Sequence, residues 1–195
     1  MENTSNYFNE LVRNRRSVFP KQFFPGKPVD DSIIREILIN ATWAPNHGQT
    51  EPWAFTVFSG DGLQTFASFQ SDVYKATAGE NFKPDKFDKL KETPLLASHI
   101  IALCMKRTTT KRIPEIEDIE AVACAVQNIY LSVSAYGLGG YWTSGGVTYD
   151  EAAKSFFGLG AEDKLLGFFY IGHVAIPSPA GKRTPVEEKV KWISK

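Results

Sequence analysis

The sequence predicts an α+β fold in a single domain, residues 1–195, on three observations. Some stretches carry apolar residues at helical spacing, and others are short, nearly continuous apolar runs of strand length. The two kinds interleave along the chain rather than falling into separate blocks. The glycine-rich stretch Gly137-Leu138-Gly139-Gly140 follows a predicted helix and lacks GxGxxG spacing. A dinucleotide fingerprint must follow a strand and open a helix, so a Rossmann fold is not expected.

Taken in order, Asn6 to Asn14 places Tyr7, Phe8, Leu11 and Val12 on one helical face and runs into a basic turn. Asp30 to Thr42 is a second helix, capped by an aspartate and buried through Ile33, Ile34, Ile37, Leu38 and Ala41. The stretch Trp43 to Trp53, WAPNHGQTEPW, follows as an ordered loop, because Pro45 and Pro52 keep it out of helix. With its histidine and polar side chains between two tryptophans, it reads as a ligand wall. Trp53 to Phe58 is a strand, and Asp61 to Thr77 and Pro84 to Glu92 are helices. Ser98 to Met105 is an apolar strand.

The longest helix runs from about Ile116 to Tyr136, apolar or small nearly all round, and is stopped by Gly137 and Gly139. Such a helix is central, or packs closely on a partner helix. Asp150 to Phe157 is a short helix, Leu165 to Ile176 a buried strand interrupted by Gly172, and a linker, Pro177 to Pro185, leads to an exposed tail.

Composition narrows the function classes. The 22 basic and 22 acidic residues cancel, and no basic excess suggests a nucleic-acid or membrane partner. No signal peptide is evident in MENTSNYFNELVRNRRS and no segment reaches transmembrane length, so a cytoplasmic protein is expected. Cys104 and Cys124 share no CxxC spacing and sit in apolar runs, which reads as reduced core thiols. His47, His99 and His173 lack ligand spacing, so no metal site is expected. Neither GxSxG nor a Walker loop occurs. The basic stretch Lys106 to Arg112 reads as a solvated connection.

Three segments stand out together: Arg15-Arg16-Ser17, the Trp43 to Trp53 loop, and Gly139 to Gly146 with Tyr141-Trp142-Thr143-Ser144 at its centre. Guanidinium forks and a hydroxyl suit a phosphate, although two arginines at a helix end also complement its dipole. Glycines on both sides of an aromatic turn let backbone amides approach a flat ligand, although Trp142 would serve equally as a core aromatic.

In these segments and their order the chain resembles the FMN-dependent NAD(P)H nitroreductase family, in its small single-domain members. The resemblance implies a mainly antiparallel central sheet flanked by helices, in a homodimer with flavin sites at the subunit interface. It assigns Arg15, Arg16 and Ser17 to the FMN phosphate and ribityl chain. Trp43 and His47 would contact the flavin of the neighbouring subunit, with Gln49 and Glu51 standing where many members carry Asn and Gln. Trp142, Thr143, Ser144 and Gly145 would pass the isoalloxazine ring, and Ser132 to Gly137 would face the nicotinamide nucleotide. The tail GKRTPVEEKV would return Arg183 to the phosphate.

The implied activity is NAD(P)H-dependent reduction of nitroaromatics, quinones or similar electrophiles by ping-pong hydride transfer, with the flavin rather than a side chain carrying the chemistry. Within the same fold, a dehalogenase, an enone reductase, an oxidase or a non-catalytic flavin-binding, redox-sensing protein are the alternatives.

Overall fold

A computed structural model describes residues 2–108 and 112–194. Its sheet has four strands, β1 (Trp53–Ser59), β2 (His99–Met105), β3 (Leu138–Thr143) and β4 (Lys164–His173), in the order β1-β2-β4-β3. Every neighbouring pair is antiparallel. The helices are α1 (Glu2–Asn14), α2 (Asp31–Thr42), α3 (Asp61–Thr77), α4 (Pro84–Glu92) and α5 (Glu115–Ala135). The expected α+β architecture, an antiparallel sheet flanked by helices, is what forms.

The continuous apolar run of β2 follows from burial on both faces. Ile101, Leu103 and Met105 point into a cluster with Ile37 and Ala41 of α2 and Val122 and Ile129 of α5. Ile100, Ala102 and Cys104 point the other way, toward Phe66 of α3 and Phe168. Helix α2 begins where Asp30 accepts hydrogen bonds from the Ser32 hydroxyl (2.6 Å) and backbone N–H (2.8 Å), which also hold its carboxyl below the usual range. Acidic Glu115, Glu117 and Asp118 occupy the first turn of α5, the end where the helix dipole favours negative charge.

Four expectations need correcting. The glycine-rich stretch, expected as a turn around Tyr141 and Trp142, is strand β3 from Leu138 to Thr143, and the turn begins after it. Its glycines make room for aromatic rings: a Cβ on Gly139 would lie 2.8 Å from the Phe23 ring, and one on Gly140 2.7 Å from the Phe169 ring. Gly172 does not interrupt β4 but pairs with Gly139 across the sheet, and Phe23 packs on it. The segment Glu151–Phe157 is 3-10 rather than α-helical. Cys124 is exposed on the outer side of α5, while Cys104 alone is a core thiol.

Burial pushes the Cys104 thiol up to about 12 from 9.0. Its protonated form therefore stabilises the fold fully below pH 9, and that contribution falls away as pH rises toward 12, because the unfolded thiol ionises first. In a thiol-labelling experiment on the native protein, Cys104 should stay unmodified until denaturant is added. Rapid native labelling of two thiols would contradict its burial.

After β4 the chain folds back over the segment that follows α1. Backbone amides of Ala175 and Ile176 donate to the Gln22 carbonyl (2.8 and 3.1 Å), and the Ser178 hydroxyl donates to the Ser17 carbonyl (2.9 Å). Beyond residue 179 the tail is exposed, as expected. Among the described residues no helix is long and apolar enough to cross a membrane.

Candidate functional site

Two of the three segments meet on one side chain, Tyr130 of α5. Its ring packs edge-on against Phe169, with centroids 4.6 Å apart, which fixes where the hydroxyl points. That hydroxyl accepts the Trp142 backbone N–H at 2.8 Å and lies 3.2 Å from Ser17 Oγ, to which its own proton can go. The Arg15 guanidinium sits over the ring, 4.5 Å from the centroid. Ser17 is bridged to Gly140, and Val18 N–H donates to the Gly140 carbonyl at 2.9 Å. The signature after α1 is thus seated against the edge of β3.

Arg15 Nη1 is buried and has no hydrogen-bond partner among the described residues. A buried charged donor without a partner is costly, and an anion is the chemistry that satisfies it. An open cleft of about 530 Å³ lies here, lined by Leu11, Arg15, Arg16, Ser134, Gly137 and Ser178. An FMN phosphate fits this donor set, with the Arg15 fork and the neighbouring hydroxyls to hold it.

Arg16 is occupied differently. It donates to the carbonyls of Arg13 (2.6 Å), Arg15 (2.8 Å) and Pro179 (3.3 Å), closing the end of α1 and fastening the returning tail. Gly181 crosses it so closely that a Cβ there would lie 2.9 Å from the Arg16 Cζ. Arg183 follows two residues later on the exposed tail and donates to the Lys182 carbonyl at 2.7 Å. The hydrogen bond of its side chain is thus local to the tail.

The Trp43 to Trp53 loop is anchored elsewhere. Trp43 caps the end of α2 with its side chain 82% exposed. His47 Nδ1 lies 2.5 Å from Glu117 Oε2, and the Thr50 hydroxyl donates to Asp118 Oδ1 at 3.0 Å. Both partners belong to the first turn of α5. Tyr130 is thirteen residues beyond Glu117 and twelve beyond Asp118, about 20 Å along the helix at 1.5 Å per residue. The exposed His47 and Gln49 are therefore not brought to Arg15 within one chain.

At the end of β3, the Trp142 indole N–H donates to the Leu166 carbonyl at 3.0 Å and its ring packs on the core, so the core role is real. Beyond it the turn is tied by Gly145 N–H to Thr143 Oγ1 (3.1 Å) and by the Thr148 hydroxyl to the Gly145 carbonyl (2.9 Å), leaving Ser144 and Gly145 exposed. Strand alternation puts hollows on both sides of it. One, of about 210 Å³, includes Thr143, Gly145, Tyr141, Gln70, Lys86 and Lys89 in its lining. The other, of about 430 Å³, is lined by Trp142, Ser144, Tyr149, Leu166, Ile119 and Ala123.

Sequence reasoning missed Tyr130 as a hub, and also Gln70, Lys86 and Lys89. A hydroxyl-bearing aromatic on an otherwise apolar helix face was the available signal for Tyr130. The remaining histidines are occupied, His99 with Asp31 (2.8 Å) and His173 with the Pro28 carbonyl (3.1 Å). Of the basic stretch, residues 109–111 lie outside the described residues, and Arg107 is half of a buried ion pair with Asp118 rather than a solvated charge.

Comparison with known proteins identifies the family. The nitroreductase family model matches residues 12–173, from the end of α1 to the end of β4, and the chain belongs to the nitroreductase family. YdjA of Escherichia coli (strain K12), a candidate NAD(P)H nitroreductase, is 31% identical over 163 residues, covering 84% of this chain and 86% of YdjA. YfhC of Bacillus subtilis (strain 168), similarly named, is 27% identical over 189 residues, covering 92% and 91%. Among solved structures, a nitroreductase-like family protein from Bacillus cereus superposes with a TM-score of 0.80 at 28% identity, over 95% of each chain. A candidate nitroreductase from Desulfovibrio desulfuricans, crystallised with FMN, has a TM-score of 0.70 at 23% identity, over 95% of this chain and 96% of its own, and shares the fold.

Proposed function

We propose that this chain is an FMN-dependent oxidoreductase that uses NAD(P)H to reduce nitroaromatics, quinones or similar electrophiles. It acts as one domain, residues 1–195, in a cytoplasmic homodimer. The observation that carries the reading is the buried Arg15 Nη1, unpartnered among the described residues, above Tyr130 and beside Ser17. Family membership and the relatives named as NAD(P)H nitroreductases support it.

On this reading Arg15 and Ser17 hold the phosphate, Arg16 keeps the helix end and the tail in place beside it, and Arg183 reaches back from that tail. The exposed turn Thr143-Ser144-Gly145, with Trp142 behind it, lies along the ring. Trp43, His47 and Gln49 wall the flavin of the partner subunit, which accounts for an exposed, ordered loop anchored about 20 Å along α5 from Tyr130. When bound, FMN supplies hydride acceptance and donation, while the protein contributes binding, orientation and electrostatics.

Titration of flavin-free protein with FMN and FAD, followed by anaerobic NADH or NADPH and a nitroaromatic, tests the proposal. FMN should be taken up in preference to FAD, and the yellow protein should bleach with the nicotinamide and recover with the acceptor. Light scattering should give twice the chain mass of 21.7 kDa. Donor and acceptor taking turns in one slot should give parallel double-reciprocal lines. A colourless protein that takes up no FMN would sink the reading.

A further inference from the structure

The loop that walls the site has an unusual backbone. Gly48, Gln49 and Glu51 have φ of 60°, 53° and 42°, so three of four consecutive residues are in left-handed territory, two of them without a glycine's freedom. Such a segment persists only where its surroundings over-determine it. Glu51 N–H donates to Asn46 Oδ1 at 3.1 Å inside the loop, but that contact is local and exposed. Two side-chain contacts reach from the loop to the first turn of α5: the exposed His47 ring on Glu117 Oε2 at 2.5 Å, ahead of the strained residues, and the Thr50 hydroxyl on the buried Asp118 Oδ1 at 3.0 Å, between Gln49 and Glu51.

Asp118 is 1% exposed, and its other oxygen is paired with Arg107. Arg107 Nη2 donates to the Ile113 carbonyl at 2.8 Å, and the Ile113 side chain stands at contact distance from where a Gly48 Cβ would lie. Arg107 N–H in turn donates to Asp163 Oδ1 at 2.9 Å. One buried ion pair thus ties the end of β2, the start of α5 and the segment before it to the strained loop, and Thr50 is its link to that loop.

We infer that the Thr50–Asp118–Arg107 clamp is a positioning device: it holds residues 48–51 in the left-handed shape in which they wall the flavin, and so sets FMN affinity without touching FMN. The inference rests on the flavin reading above. A purely structural role would fall on the ion pair, which Thr50 is not needed to complete. The loop side therefore separates the two roles.

The test uses the full chain with Thr50→Val, which keeps the shape and removes the hydroxyl, and Thr50→Ser, which keeps the hydroxyl. Thr50→Val should speed amide exchange at residues 46–51 in flavin-free protein and raise the FMN dissociation constant about tenfold, the scale of one hydrogen bond. Exchange in β2 and the centre of α5 should stay as in the unaltered protein, and Thr50→Ser should restore both readouts. Unchanged loop exchange in Thr50→Val, a loosened loop with unchanged FMN affinity, or equal loss in both variants would each overturn the clamp. Failure of the unaltered protein to take up FMN would overturn the flavin reading, and with it the role assigned here.

Discussion

Replacing Arg15 by alanine is expected to strip the protein of most of its FMN. Arg15 Nη1 is buried and has no hydrogen-bond partner among the described residues, and on the proposed reading the FMN phosphate supplies one. Truncating one member of a desolvated charge pair costs about 2 to 5 kcal/mol, which is about 30-fold to several thousand-fold in affinity. Arg15→Lys should recover only part of this, because an ammonium restores the charge but neither the bidentate fork nor the guanidinium carbon held 4.5 Å from the Tyr130 ring centroid. Arg112→Ala removes an exposed arginine and should leave FMN content unchanged. Dialysis followed by measurement of flavin absorbance per chain decides it. Equal occupancy of the two alanine variants would remove the phosphate role from Arg15.

The largest loss of stability is expected from Gly167→Ala. Gly167 has φ of 118°, at the register shift where β4 passes β2. A Cβ there would lie 2.3 Å from the Thr143 carbonyl oxygen and 3.0 Å from the Trp142 indole nitrogen. Both are held, the indole by its bond to the Leu166 carbonyl, so neither can step aside cheaply. Overpacking costs about 1 to 3 kcal/mol and a disallowed backbone conformation about as much again, together on the order of 4 kcal/mol. That is a large part of the roughly 5 to 15 kcal/mol that holds a domain folded. Gly158, also left-handed at φ 62° but with nothing within 4 Å, is the control, and Gly158→Ala should cost only about 1 kcal/mol. Urea midpoints compare them directly. Similar midpoints would mean that the β3–β4 contact gives way more readily than its hydrogen bonds imply.

Elements whose signal is local were legible in the chain, and those that borrow their reason from far away were not. Helix α2 announces itself through Asp30 and the spacing of Ile34, Ile37 and Ala41, and β2 through an apolar run of strand length. Strand β3 offers no alternation of its own, because the packing partners of Gly139 and Gly140 are the rings of Phe23 and Phe169. Cys124 was misplaced because its sequence neighbours Ala123 and Ala125 read as an apolar run, whereas its neighbours on the helix surface, Glu120, Gln127 and Asn128, mark the outward face.

The site follows the same division. The Arg15 to Ser17 cluster carries its chemistry in its residue types, whereas Tyr130 looks like any other aromatic on the core face of α5 until its hydroxyl is located. Asp118 is hidden in an acidic first turn whose dipole role is reason enough for it. Its partners Thr50 and Arg107 come from other parts of the chain, and no spacing rule joins them.

Because α5 carries the anchors of the Trp43 to Trp53 loop at one end and Tyr130 at the other, it acts as a ruler for the protein's evolution. One residue inserted between Asp118 and Tyr130 would turn one end relative to the other by about 100° and slide it by 1.5 Å, breaking the alignment at both ends together. Two segments outside that interval carry no such constraint. The exposed turn between α3 and α4 and the tail beyond residue 179 can lengthen or shorten without moving either anchor. Insertions in those two segments are therefore expected to leave both anchors in place, while the interval from Asp118 to Tyr130 can change in composition but not in count.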